Sequence, residues 1–540
     1  MSAPAPTVPD IARRPAHAGL VLATLILGAV VANINLGIAN VALPTIGREL
    51  QASQTQLTAV ANAFSLGLAC SVLYFGAIGD RYGRKLLFLI GAAASIPTAM
   101  LAAWASDPQL LAAYRFLGGL SAGLLFPTTL SLITALWSGP ARTKAIALWS
   151  GIGGGMAPLG PIVGGWLLEH FWWGSVFLLT APFAALALVL GIFLVPGRTR
   201  TDPARVDHLG GVLSVIGVAA LVLVIERVSG GLTPLWLTAF GVALVILAAF
   251  FWRQTRAPHP LVDLTLAKAT TFWVAVVAGM ITFGSLIGAM FIGQQFTQNV
   301  LAMEPLNASL CALPAAAAMV LGAPVAGQLL LRRGGRATFA LGLLNVALGF
   351  LVMLVTWRPG ASVTWVCVGY LFVGLGVGFS ATPASRSLMS SLPVRRAGMG
   401  SAFLDLTRDL GGSIVQAAMG ALLAVAYTGY FTQAFAALPP QQAQQLGSQA
   451  AQTIGSSYAG AAEVATGFPQ AQAAQIVAAA NTAFTEGKSA AIGLALLLTL
   501  VALGLVLWRY PRQQQEEAFF ASVAAADAAA PPASRPASAR

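Results

Sequence analysis

Apolar stretches of roughly 18 to 25 residues follow one another along almost the whole of this 540-residue chain. There are fourteen of them, the first near 19–44 and the last near 488–509. Each is long enough, wound as a helix, to cross a hydrocarbon layer about 30 Å thick. Charged residues make up only 9% of the chain, against about 25% in soluble domains. The first stretch is too long, and lacks the small-residue cleavage site, for a removable signal peptide, so it reads as the first span. An all-α membrane protein is the expected fold class.

A short pattern recurs within this series. The first copy runs from Gly76 through Asp80, Arg81, Gly83 and Arg84 to Lys85, and the second from Gly327 through Leu331, Arg332, Gly334 and Gly335 to Arg336. Glycine, arginine, glycine and a basic residue fall at the same offsets, each time between two apolar stretches. A repeat at this distance implies two related helical bundles, the usual architecture of a secondary transporter. Two six-helix bundles are expected at 19–196 and 272–510, with an inserted helix pair at 197–271. Residues 1–18 read as a disordered N-terminus and 511–540 as a low-complexity tail. The long connection 428–487 reads as an amphipathic hairpin or as disorder.

The net charge of +12 raises the question of nucleic acid, but the placement of the charges answers it. Most of the 29 Lys and Arg fall on one side of the spans, among them Arg13, Arg81, Lys85, Arg142, Arg332 and Arg512, while the other side holds Arg48, Arg227, Arg358 and Lys488. That bias orients the chain with both termini cytoplasmic in a cell inner membrane. The expected partners are therefore membrane lipids and a transported small-molecule solute, not nucleic acid. The oligomeric state is open. Cys70, Cys311 and Cys367 fall within apolar stretches with no metal-type spacing, and the four histidines sit at loops or span edges. No metal and no cofactor are expected.

These residues resemble the major facilitator superfamily. The Gly76–Lys85 segment is similar to its signature between helices two and three, and Tyr114-Arg115-Phe116-Leu117-Gly118-Gly119 to its helix-four arginine motif. Gly160, Pro161, Gly164 and Gly165 resemble the helix-five antiporter signature, with Met156 where a glycine is usual. With fourteen spans, the chain resembles the drug:proton antiporter family of that helix number, the QacA-like multidrug efflux pumps included. The resemblance implies the major facilitator fold and export driven by a proton gradient, and it adds protons and an amphipathic character of the solute to the expected partners. It also implies that Asp80, with Arg81, Gly83 and Arg84, latches one conformation; the plainer alternative is a topology anchor, which leaves the acid unexplained. The glycines and prolines of the fifth span serve either as hinge and seal or simply as tight packing.

Charges inside spans are costly, about 2.5–3.5 kcal/mol each at a helix centre on insertion scales. Arg115, Arg386, Asp405, Arg408 and Asp409 are placed so. Asp405 lies three residues before Arg408 and four before Asp409, so the three share one side of a helix. Such a cluster can hold or release a proton, or can be a structural ion network. Asp405, Asp409 and Arg115 are the candidates for proton coupling. Asn33, Asn35, Asn62, Tyr74 and Trp149 are candidates for the substrate cavity, being polar or aromatic where lipid requires neither. Asn35, Asn62 and Met319 stand where QacA-like pumps carry acids, which points away from dications. A metabolite or anion exporter of the same fold is the alternative. A membrane enzyme would need a catalytic or metal constellation, and none is visible.

Overall fold

The computed structural model describes residues 17–52, 54–197, 206–226, 233–262, 268–436, 450, 453–455 and 458–529. The expected disordered segment up to residue 16, the candidate helix at 441–449 and the tail from 530 lie outside these. The described residues form helices and turns, with no strand among them.

Thirteen helices are long and apolar enough to span a membrane. One of them contains two spans, because the helix Leu313–Thr356 breaks at Gly334, where φ is 78° and ψ is 177°. The expected fourteen spans are thus present. They are α1 (Ala18–Glu49), α2 (Gln54–Tyr82), α3 (Arg84–Ala103), α4 (Pro108–Leu136), α5 (Gly139–His170) and α6 (Ser175–Leu194), then the inserted α7 (His208–Glu226) and α8 (Pro234–Arg256). The second bundle holds α9 (Thr270–Gln295), α10 (313–333), α11 (335–356), α12 (Val363–Ser390), α13 (Ala397–Ala436) and α14 (Gln470–Arg509).

Local sequence sets the helix starts. Asp107 accepts from the backbone N–H of Gln109 and Leu110 ahead of Pro108, which fills a position needing no donor. Thr233 and Ser362 cap α8 and α12 in the same way. Gly83 and Gly334 occupy equivalent places in the two motif copies, and both have left-handed backbone, with φ of 117° and 78°. A side chain is strained there, so both repeats turn between their spans on a glycine.

The halves share a core in which Phe126, Trp149 and Phe88 of the first bundle join Phe272, Leu388 and Leu404 of the second. Outward-facing positions are apolar and exposed, as in Phe193, Val245, Leu321 and Trp508, which suits contact with lipid chains. The inserted pair lies at the periphery. Val218 and Val222 of α7 pack on Ala69 and Cys70 of α2, and Asp207 holds Arg253 of α8 through two bonds of 3.1 and 3.2 Å.

The motif turns mark one end of the bundle, called the motif end below. At the opposite, far end, α13 and α14 are each 40 residues long. At 1.5 Å per residue that is about 60 Å, twice the hydrocarbon thickness. Between them, Thr428 donates to the Gly455 carbonyl at 2.9 Å and Tyr458 to that of Asn299 at 2.6 Å.

The tail departs from the low-complexity reading. Residues Gln513–Ala529 form a helix, α15, docked against the motif end of the second bundle. Its alanine-rich composition favours helix, and its buried Glu516 and Asp527 meet backbone N–H groups of the bundle.

Candidate functional site: a cavity between the halves and the latch beneath it

Three helices of each bundle meet around a small central cavity of about 20 Å³, to which α9 brings Phe283. α1 contributes Asn33, α4 Phe126 and α5 Trp149, while α12 contributes Ser385 and α13 Asp405 and Arg408. The Trp149 indole donates to Thr129 Oγ1 at 2.9 Å, which fixes its ring against Phe126, 5.4 Å away between centroids. Ser150 and Ser385 bridge the two halves at 3.2 Å. The Asn33 amide donates to the Ala29 carbonyl one turn back.

The charges here are sparsely satisfied. Asp405 is buried, and its Oδ2 accepts no hydrogen bond among the described residues. The Arg408 guanidinium lies 4.6 Å above the Phe126 ring, an attractive placement for a desolvated cation. Arg408 Nε is 3.8 Å from Asp409 Oδ1, while Arg408 Nη2 and Asp409 Oδ2 are unpaired among the described residues. A closed structural network would use these atoms, because an unmet buried polar group is costly. The arrangement suits groups whose charge changes as a proton or a solute arrives.

Arg115 does not join this cluster. It is buried on α4, donating to the Val60 and Ala61 carbonyls of α2 at 2.6 and 3.4 Å. Phe64 and Phe177 flank it, with ring centroids at 5.7 and 5.3 Å. It lines a separate small cavity of about 20 Å³ together with Asn35, Tyr114 and Thr98. No ion pair to Arg115 is present among the described residues.

Two of the expected cavity residues sit elsewhere. Tyr74 faces the inserted pair, its hydroxyl 2.7 Å from His208 Nδ1 and its ring against Gly211. A polar aromatic on a span thus served an interhelix contact, and the residue that revealed this, His208, had read as a plain span-edge histidine. Asn62 is half-buried on α2 and lines neither cavity. In the antiporter signature, Gly164 packs on Ile38 of α1 and Gly165 approaches Leu306 of the second half. Gly160 is buried and Pro161 half-buried on the same helix. Further along α5, a Cβ built on Gly151 would lie 2.5 Å from that of Ala323 on α10. The stripe is therefore part of the seam between the halves.

At the motif end, Asp80 crosses that seam. Its carboxylate accepts from the backbone N–H of Gly398 at 2.8 Å and of Met399 at 3.2 Å, the first turn of α13. The same carboxylate accepts from Arg84 Nε and Nη2 at 3.1 and 2.9 Å. Arg84 in turn donates to the Val394 carbonyl at 2.5 Å. An acid at a helix N-terminus meets unsatisfied donors and the positive end of the dipole. Gly76 and Gly398 make the approach possible, since a Cβ on Gly76 would fall 2.7 Å from the Gly398 carbonyl oxygen. Arg81 shares a small cavity here with Arg396 and His259.

Sequence reasoning missed two charged positions. Lys488, counted among the charges of the far side, is fully buried and donates to the Trp357 carbonyl at 2.6 Å, capping the C-terminal end of α11. Its place within an apolar stretch was the available signal. Glu516, in the tail, accepts from the Gly335 backbone N–H at 2.7 Å, and nothing local in the sequence marks it.

Comparison with known proteins places this geometry. The pattern of the Major Facilitator Superfamily matches residues 25–416. The multidrug efflux pump LfrA of Mycolicibacterium smegmatis is 34% identical, over 92% of this chain and 97% of its own length. The methyl viologen resistance protein SmvA of Salmonella typhimurium is 29% identical, over 90% and 97%. Among solved structures, the proton:xylose symporter XylE superposes with a TM-score of 0.57 at 15% identity, covering 93% of this chain and 98% of that one.

Proposed function

The chain belongs to the major facilitator superfamily, and on that premise we propose that it exports small amphipathic compounds by alternating access, driven by inward proton flow. It is a transporter, not an enzyme. The observation that carries the reading is the shared cavity, in which a Trp149–Phe126 aromatic wall faces Asp405 and Arg408 across the seam between the halves, with Asp409 behind Arg408 at 3.8 Å. The aromatic wall suits the apolar part of a solute, and the carboxylates suit its cationic part or a proton. A site offering both to one or the other, never to both together, exchanges them. That is antiport.

In this proposal Asp405 and Asp409 are the proton carriers. Arg408, 3.8 Å from Asp409, is the countercharge that a proton or a cation replaces. Arg115 is a fixed cation coupling the far part of the first bundle to α2, whose carbonyls it holds. The Asp80 latch holds the motif end closed while the far end is open. The bias of Lys and Arg toward the motif end supports a cytoplasmic placement of that end and of both termini. The names of LfrA and SmvA support drug-like substrates of this kind. The proton gradient serves as the energy source, with no cofactor.

Purified protein in proteoliposomes tests the assignment. Substrate-induced proton release should be lost, about tenfold or more, in Asp405→Asn or Asp409→Asn, with insertion and expression retained. Native coupling in both variants would make the cluster structural and move the proton path elsewhere.

A further inference from the structure

The two motif copies are held differently, and the tail explains how. In the first, Asp80 is internal to the motif and grips both Arg84 and the start of α13. In the second, the corresponding residue is Leu331, which can hold nothing. Yet a carboxylate is present there. Glu516 of α15 accepts from the N–H of Gly335, the residue equivalent to Arg84, and also from the Tyr510 hydroxyl at 3.1 Å. Tyr510 contacts Ser387 of α12 at 2.5 Å, and Arg386 of α12 lies 3.9 Å from Glu516 and over the Phe520 ring. Gln513 covers Gly334 and donates to the Leu331 carbonyl at 3.4 Å.

The other end of α15 reaches the latch. Asp527 accepts from the Val394 N–H at 3.0 Å and lies 3.8 Å from Arg395. The Val394 carbonyl is the acceptor of Arg84. One peptide turn, Val394–Arg396, immediately before α13, is therefore held from the first bundle through its C=O and from the tail through its N–H.

We propose that α15 is the second half of the motif-end latch: Glu516 supplies the acid that the second repeat lacks, and Asp527 positions the Val394 turn for Arg84. Both are positioning residues; neither touches the cavity. The tail then stabilises the state closed at the motif end, and its loosening speeds opening on that side. This rests on the alternating-access reading given above.

The test uses the full-length protein carrying Ser385→Cys, a cavity position between the halves. Labelling by an impermeant maleimide is followed in inside-out and right-side-out vesicles, against the native chain as the background from its own cysteines. Glu516→Gln and Asp527→Asn should each raise labelling from the motif side about threefold or more and lower it from the far side. A general loss of packing would instead raise both, which overturns the proposal, as would native rates in both variants. Combining Asp527→Asn with Asp80→Asn should give less than the product of the two effects, because both act through Val394; a full product overturns the shared-turn mechanism. If Asp80→Asn itself leaves both rates native, alternating access through this latch falls, and the tail proposal with it.

Discussion

The two motif turns differ in where each finds its acid. The first carries its own, Asp80, four residues before Arg84, and spends it on the opposite half of the molecule. The second borrows Glu516 from the tail and uses it within its own half. The backbone is shared, since both turns pivot on a glycine of positive φ. Repeats of this kind thus keep the feature that shapes the chain and divide the feature that switches it. A conformational cycle needs one seam to open, so two identical acids crossing the same seam would only hold it harder.

The largest expected effect breaks that asymmetry directly. Asp80→Asn removes the charge that meets two backbone N–H groups and leaves Arg84 buried without its partner; unpairing a buried ion costs about 3–5 kcal/mol in other proteins. Export should fall more than tenfold, while Leu331→Asn at the matching position should change it less than about twofold. Equal losses would show that the copies are equivalent after all. Export of a fluorescent amphipathic dye from loaded vesicles reads both.

A middle-sized effect sharpens the comparison at the glycines. Gly83→Ala and Gly334→Ala each force an alanine into left-handed backbone, about 1–2 kcal/mol. Nothing surrounds a Cβ on Gly83, whereas one on Gly334 would lie 2.8 Å from Gln513 Cβ. The second substitution should therefore lower the thermal midpoint in detergent further, and should also free α15 to protease. The first should not expose the tail.

The smallest effect concerns pH. Burial pushes the Glu516 carboxyl above its ordinary range, against the lowering influence of the Gly335 N–H, Arg386 and Tyr510, with Glu517 adding a small rise. An acid raised in the docked state binds more protons docked than free, so docking weakens as pH rises through and above the usual carboxylate range. Protection of the α15 amides, taken relative to the unstructured exchange rate at each pH, should be greater at pH 5 than at pH 7.5, and Glu516→Gln should flatten the difference. An unchanged profile in that variant would show that Glu516 does not set the dependence.

The spans, the inserted pair and the contact-making acid of the first motif were legible because each rests on local pattern. Hydropathy runs mark helices, and an acid among bases at Asp80 has few physical uses. The central cluster was half legible: Asp405, Arg408 and Asp409 stand out as charges in a span, and Asn33 and Trp149 share a cavity with the first two of them. Arg115 stood out equally and lies in another cavity, since spacing along one helix says nothing about which neighbour it faces. Tyr74 failed for the same reason, its ring pointing to the periphery. Arg386 stands out as a charge in a span as well, and it lies near Glu516 of the tail, 3.9 Å away. Long-range contacts of this sort, 130 residues along the chain, leave no local trace.

Of the inserted helices, α7 packs one face on α2 while α8 is largely exposed, and neither lines the central cavity or the Arg115 cavity. Their number has a consequence that their chemistry does not. A chain that crosses a membrane twice returns to the side it left, so a pair can be added between the halves without inverting the second. A single added helix would turn the whole second bundle over. Gly398 would then open its helix at the wrong face, out of reach of Asp80, and the two sets of cavity residues would line opposite ends. Parity, more than packing, is what the linker between the halves has to preserve. It leaves everything else about those two helices free to change.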